Sequence, residues 1–474
     1  MRSSDRANDV MWLSFSDASS RRGPTTWAQR AIWLVLRWEG DGAHRRNLTN
    51  AWDLPEGIGT ASVLDTFREV IVCCEALRTT YHETSEREPI QVVHDSGAIE
   101  VHLRRARVDD IDTITRGVTD QLRERRFDLT ADLPIRIAVI SVDDRPVRAV
   151  IVLSHLTADG WGVQIMRRLF LDVLRKGRSS AELADARTAE QPIDRARYES
   201  GPAGVRAQRL ALEFWTRAFR EIPRSMFEGQ DERYTRAEGA VMHSHPMAAA
   251  VRRICARDHV TSSAVVIAAA AKVVSSVFGE SDIAIRVLVG TRFHSRARHS
   301  IAALNLNGLF RTTTLGELDS TYFRRAMQDY LRAALYSQCD PVTQNPTLEA
   351  VMRGRGVSER QFLFYNDKRY SNHDIDRPEG TAACSSVLVR DEYAFLADVT
   401  RACDGSTWIR RYPDARPDKE SKFLLTVHDI SGAAEVSVHL DRRFFPDTDA
   451  EQFLGLLEQV LTDAAGRSVT GVAA

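Results

Sequence analysis

Residues 149–162 read Ala149-Val150-Ile151-Val152-Leu153-Ser154-His155-Leu156-Thr157-Ala158-Asp159-Gly160-Trp161-Gly162. Five consecutive apolar residues with a β-branched centre have the composition of a strand buried on both faces. From Trp161 to Lys176 the period changes. Ile165, Met166, Leu169, Phe170, Val173 and Leu174 share one helical face, while Gln164, Arg167, Arg168, Asp172 and Arg175 share the other. Gly177 stands where such a helix stops. A strand, a tight loop and a helix therefore place His155 at a strand end, where the sheet can hold an imidazole facing a cleft. An imidazole with a pKa near ~6.5 can take a proton from a nucleophile at neutral pH. Asp159, four residues on, can fix the loop through a cation or backbone N–H groups, or cap the helix. Gly160 permits a backbone geometry that a Cβ would block. Read alone, a histidine after a strand is also the signature of a packed structural residue, and the chain has 13 histidines.

Outward from this corner, strands and helices alternate. Residues 1–23 form a polar N-terminal segment. Thr25 or Thr26 can cap a helix carrying Trp27, Ala31, Ile32 and Leu36. Strands are expected at 47–54, 79–82, 90–94, 134–142 and 147–154, and helices at 61–76 and 111–124. A polar stretch with two prolines, 179–204, reads as a linker before a helix over 206–220. The second half repeats the style. Helices are expected at 249–256, 263–277, 321–337 and 449–461, and strands at 283–289, 309–315, 362–365, 385–389, 408–412, 423–428 and 435–440. The fold class is α/β, sandwich-like, in two units, 24–225 and 226–474.

The 474 residues suit two large domains or about three ordinary ones. With 43% hydrophobic and 27% charged residues, the chain is neither disordered nor a coiled-coil rod. The net charge of -1 lacks the basic excess of a nucleic-acid binder. Six cysteines, none in a CxxC pair, argue against a disulfide scaffold and against a structural zinc site. The longest apolar run, Ala264 to Ala271, is far short of the ~20 residues of a membrane span, so the chain reads as soluble and cytoplasmic, with no membrane partner. Phosphate-loop, GxSxG, HExxH and dinucleotide signatures are absent.

Several segments resemble, in order, the condensation domains of nonribosomal peptide synthetases, members of the chloramphenicol acetyltransferase-like superfamily. Ser154 to Trp161 is similar to their HHxxxDG motif. Thr26-Trp27-Ala28-Gln29-Arg30-Ala31-Ile32-Trp33-Leu34 is similar to their SxAQxRLWxL motif. Cys74 to Tyr81 resembles RHEALRTxF, and Phe127-Asp128-Leu129 with Leu133-Pro134-Ile135-Arg136 resembles FDL…PLxR. Val289-Gly290-Thr291 with Arg296 resembles GTPVAGR, and Asn307 with Leu309 resembles FVNTLPLR, Asn305 being a competing match. There are departures. Ser154 replaces the first motif histidine, Arg292 and His294 replace the Pro and Ala of GTPVAGR, and Ser337-Gln338-Cys339-Asp340-Pro341 is a poor match to HQDLPF.

The resemblance implies two acyltransferase-like lobes in a V-shaped pseudo-dimer, with a tunnel between them. His155 would stand mid-tunnel as a general base or as a positioning group. Asp159 would pair with Arg296, with Ser154 and Gly160 supporting, and Asn307 would help hold an oxyanion. Arg296 also fits a solvated basic loop with Arg292, His294, Arg298 and His299. The implied reaction joins an acyl group, delivered on the phosphopantetheine arm of a carrier protein, to an amine or alcohol. No cofactor or metal is bound, and the chain is expected to be a freestanding monomer meeting its carrier in trans. Arg104, Arg105 and Arg107, or Arg167 and Arg168, are candidates for carrier docking. Two further readings are an acyl-CoA-dependent transferase and an inactive recruitment protein.

Overall fold

A computed structural model describes residues 9–16, 18–226, 237–357, 362–369, 407–412 and 421–467. The chain divides into two compact units.

The first unit runs to Gly204 and takes back residues 292–304. Its elements are β1 (Asp9–Phe15), β2 (Arg21–Pro24), α1 (Trp27–Glu39), β3 (Leu48–Asp53), α2 (Thr60–Cys73), β4 (Thr79–Glu83), β5 (Pro89–Val93), β6 (Gly97–Arg105), α3 (Ile111–Glu124), β7 (Ile135–Val142), β8 (Arg145–Leu153), α4 (Gly160–Lys176), α5 (Ala181–Thr188) and α6 (Pro192–Ser200). The main sheet has the order β1-β6-β7-β8-β3, and β2-β5-β4 form a small second sheet. Alternation along β7 and β8 explains why both read as unbroken apolar runs. Ile137, Val139, Ala149, Ile151 and Leu153 pack against α2 and α4, whereas Ala138, Ile140, Val150 and Val152 pack against Val118 and Leu122 of α3. The strand ahead of His155 is thus clamped from both sides.

In the second unit the elements are α7 (Pro202–Glu221, from Val205 onward), β9 (Ala237–Ser244), α8 (His245–Asp258), α9 (Ser262–Phe278), β10 (Asp282–Gly290), then, after the short α10 (Ser295–Arg298) of the first unit, β11 (Asn305–Thr313), α11 (Ser320–Leu335), α12 (Pro341–Gly354), β12 (Phe362–Asp367), β13 (Trp408–Tyr412), β14 (Ser421–Asp429), β15 (Ala434–Asp441) and α13 (Ala450–Gly466). Its sheet has the order β11-β10-β12-β14-β15-β9-β13. The Ala264–Ala271 run is buried inside α9, as part of one continuous core. Among the described residues no single helix is long and apolar enough to cross a membrane.

The α/β class in two units holds, and the details correct the expectation in four places. Within residues 1–23, expected to be a polar segment, residues 9–15 and 21–23 lie in strands β1 and β2; in β1 Leu13 and Phe15 turn into the core while Trp12 stays 64% exposed. The expected linker holds α5 and α6, and α6 carries a buried ion pair: Arg195 pairs with Glu199 at 3.2 Å, both nearly sealed. The units divide after Gly204 rather than after 225, because α7 puts Trp215 and Phe219 into the second core. Strands β6 and β9, helix α12 and the short α10 were not anticipated. The strand expected at 385–389 lies outside the described residues.

Candidate active site

Helix α1 begins where the sequence placed it. Thr26 Oγ1 accepts the Gln29 N–H at 3.1 Å, and Gln29 Oε1 accepts the Thr26 N–H at 2.9 Å, a reciprocal cap. Strand β8 ends at Leu153, and Ser154, 2% exposed, gives its N–H to Pro134 O at 3.0 Å. Thr157 N–H returns to Ser154 O at 2.9 Å, closing a turn with His155 on it.

His155 is half-buried. Its Nδ1 lies 3.1 Å from Ala158 O. A carbonyl only accepts, so in the neutral ring Nδ1 carries the hydrogen and Nε2 is the free basic nitrogen. Burial pushes the imidazole pKa below its usual value. The Ala158 carbonyl and Asp159 pull against that shift, and Arg46 adds to it. The ring is therefore held neutral, in one tautomer, near neutral pH.

Asp159, 1% exposed, is satisfied on both oxygens. It caps α4 by accepting Gly162 N–H at 2.8 Å, and it accepts Leu304 N–H at 3.0 Å. Arg292 grips it bidentately, Nη1 to Oδ2 at 2.7 Å and Nη2 to Oδ1 at 2.9 Å, and gives Nη2 to Ala302 O at 2.9 Å as well. Both expected roles of Asp159, cap and ion-pair partner, are realised together.

The expected partner was wrong. Arg296 is exposed and donates Nε to Thr188 O at 2.9 Å, and its own carbonyl takes Glu190 N–H. Its backbone and side chain both serve to tie residues 294–299 down beside α5. The cation that neutralises Asp159 comes from the position where the motif has proline. Gly160 also needs correcting. It opens α4 outside the left-handed region, and Gly162 is the glycine that packing demands: a Cβ there would sit 3.0 Å from Ala302 O and 3.2 Å from Ala302 N.

Asn307 belongs to the second unit, on β11 opposite Leu288, and its buried Oδ1 has no hydrogen-bond partner among the described residues. Asn305 lies two residues away on the same face of β11, opposite Gly290. Of the docking candidates, Arg104 is buried and donates to His102 Nδ1 at 2.8 Å, so it presents no surface charge. Arg105 pairs with Asp144 and Arg168 with Glu182.

A family model described as the condensation domain matches residues 20–338. The chain belongs to the condensation domain family. Such domains act in nonribosomal peptide and polyketide synthesis, where they work with carrier protein domains and form amide or ester bonds. This domain is similar to the bassianolide nonribosomal cyclodepsipeptide synthetase of Beauveria bassiana, 23% identical over 333 residues, which are 67% of this chain and 10% of that protein. The chain spans a tenth or less of the length of the curated relatives it matches. Among solved structures it is similar to the condensation domain of the monacolin K polyketide synthase MokA, with a TM-score of 0.68 at 12% identity, covering 94% of this chain and 97% of that one. It is also similar to the SgcC5 protein of Streptomyces globisporus, with a TM-score of 0.65 at 17% identity, covering 94% and 99%. These likenesses show the fold.

Proposed function

We propose that this condensation domain transfers an acyl or aminoacyl group from a thioester on a carrier protein's phosphopantetheine arm to an amine or alcohol. His155 Nε2 takes the proton of the nucleophile as nitrogen or oxygen attacks the thioester carbonyl. The tetrahedral intermediate then collapses with the thiolate leaving and taking the proton back from Nε2. One observation carries the reading: the Ala158 carbonyl holds the ring so that Nε2, the nitrogen a base needs, stays unprotonated. General base catalysis of this kind supplies on the order of 10²–10⁴-fold.

The test is product formation by wild type and His155→Ala with acyl-carrier protein and with acyl-CoA, each with a candidate amine or alcohol. Turnover from acyl-carrier protein that falls by roughly 10²-fold or more in the variant, at an unchanged melting temperature, is expected. Full activity in the variant overturns the catalytic role. Product from acyl-CoA alone overturns the carrier as donor. Tight binding of a carrier with no turnover from any donor assigns the chain to recruitment instead.

A further inference from the structure

The turn that carries His155 is buried, and its peptide groups must find partners other than water. The Leu156 carbonyl, directly after the histidine, finds them on two distant elements. Tyr81 of β4 donates its hydroxyl to Leu156 O at 3.2 Å. Gln29 of α1 donates Nε2 to the Tyr81 oxygen at 3.1 Å, to Gln91 Oε1 at 3.3 Å and, more weakly, to Leu156 O at 3.4 Å. The directions follow from the groups. Leu156 O can only accept, so the Tyr81 hydroxyl hydrogen points to it, which leaves the Tyr81 oxygen to accept from Gln29. Gln29, Tyr81 and Gln91 are all fully buried. Burial raises the Tyr81 pKa, which keeps the phenol a neutral donor. The Leu156 side chain is held too, among Trp33, Leu36, Ala43 and Tyr81.

We propose that Gln29 and Tyr81 form a positioning relay for His155: by fixing the Leu156 peptide they hold the turn in which the imidazole can reach Ala158 O, and so set its tautomer. Neither residue hydrogen-bonds the ring. Without the Tyr81 hydroxyl, Leu156 O keeps only the long Gln29 contact, the turn loosens, and the ring samples both tautomers in a wetter setting. The effect on turnover rests on the acyl-transfer reading; the effect on the ring does not.

The experiment labels histidine with ¹⁵N in the full chain, assigns His155 by its loss in His155→Ala, and follows it against pH in wild type, Tyr81→Phe, Gln29→Leu and Thr26→Ala, alongside kcat, KM and thermal melts. Thr26→Ala is the control, since it breaks half of the α1 cap and leaves the relay intact. Wild type should show one tautomer, hydrogen on Nδ1, titrating below the usual histidine value. Tyr81→Phe should mix the tautomers, move the midpoint toward ~6.5 and lower kcat roughly 10- to 100-fold with little change in KM, while Thr26→Ala leaves the ring as in wild type. Gln29→Leu reaches the same carbonyl from its other donor and gives a second reading if Tyr81→Phe melts too low. An unchanged His155 tautomer and midpoint in both relay variants, or an equal change in Thr26→Ala, overturns the relay. A ring that moves as described in a protein that turns over no donor supports the relay and refutes the proposed function.

Discussion

Replacing Arg292 by alanine should cripple the first unit, and replacing Arg296 should barely register. Asp159 accepts four hydrogen bonds, two of them from the Arg292 guanidinium, at a position 1% exposed to solvent. Arg292→Ala leaves a buried carboxylate with two backbone donors and no counter-charge, and Ala302 O loses its guanidinium contact. Breaking a buried pair from one side costs about 3–5 kcal/mol, because the surviving charge is stranded. In a unit of about 200 residues each kcal/mol moves the melting temperature by about 2–4 °C, so the expected drop is roughly 6–20 °C. Arg296 offers one side-chain hydrogen bond from an exposed position, and its backbone tie to Glu190 survives truncation. Its loss should stay within about 0.5–1 kcal/mol. Calorimetry on the two variants and wild type decides the matter. Equal losses, or a larger loss for Arg296→Ala, would refute the assignment of the Asp159 counter-ion to Arg292.

Two further outcomes follow from the same geometry. Gly162→Ala should destabilise by about 1–3 kcal/mol, read by urea unfolding, because its Cβ meets the Ala302 backbone rather than a side chain that can move aside; a neutral result would remove the close approach of α4 to the 292–304 segment. The lowered His155 pKa fixes a pH dependence. The unfolded chain binds a proton near ~6.5 and the folded chain only below that. His155's contribution to stability is thus complete above ~6.5 and is lost as pH falls through the folded value. The acid limb of the rate profile should lie at that same lower pH, and a limb at or above ~6.5 would contradict the buried, carbonyl-bonded ring.

What could be read from sequence was what hydrophobic period and turn chemistry encode. The change of period at residues 154–161 placed the His155 corner, and the Ile111–Glu124 and Gly160–Lys176 helices stand within a residue of their expected ends. What escaped was structure built by polar burial. Helix α6 is held by Arg195 and Glu199 rather than by an apolar stripe, so its residues look like those of a linker. Strand β1 alternates correctly, but its outward residues include Trp12 and Val10, which blur the contrast a period-two pattern needs. The Gln29–Tyr81 relay joins elements 52 residues apart, and only folding brings them onto one carbonyl.

The exchange of Arg296 for Arg292 shows which part of the motif physics constrains. Asp159 is fixed by three backbone demands at once: it caps α4, receives Leu304 N–H, and sends its own N–H to Ala302 O at 3.2 Å. Its charge then has to be met by a cation, whatever the residue number. An arginine side chain is long enough to reach one carboxylate from more than one place on a short loop, and its planar fork needs only the approach direction. With Arg292 already in that role, the positions after it are released. His294 Nε2 turns to Glu190 at 3.3 Å and Arg296 to Thr188 O, tying the segment to the α5 region. The anion that shapes the His155 loop is therefore the invariant to look for in divergent sequences of this kind, and its counter-ion has to be found by distance rather than by alignment to a motif letter.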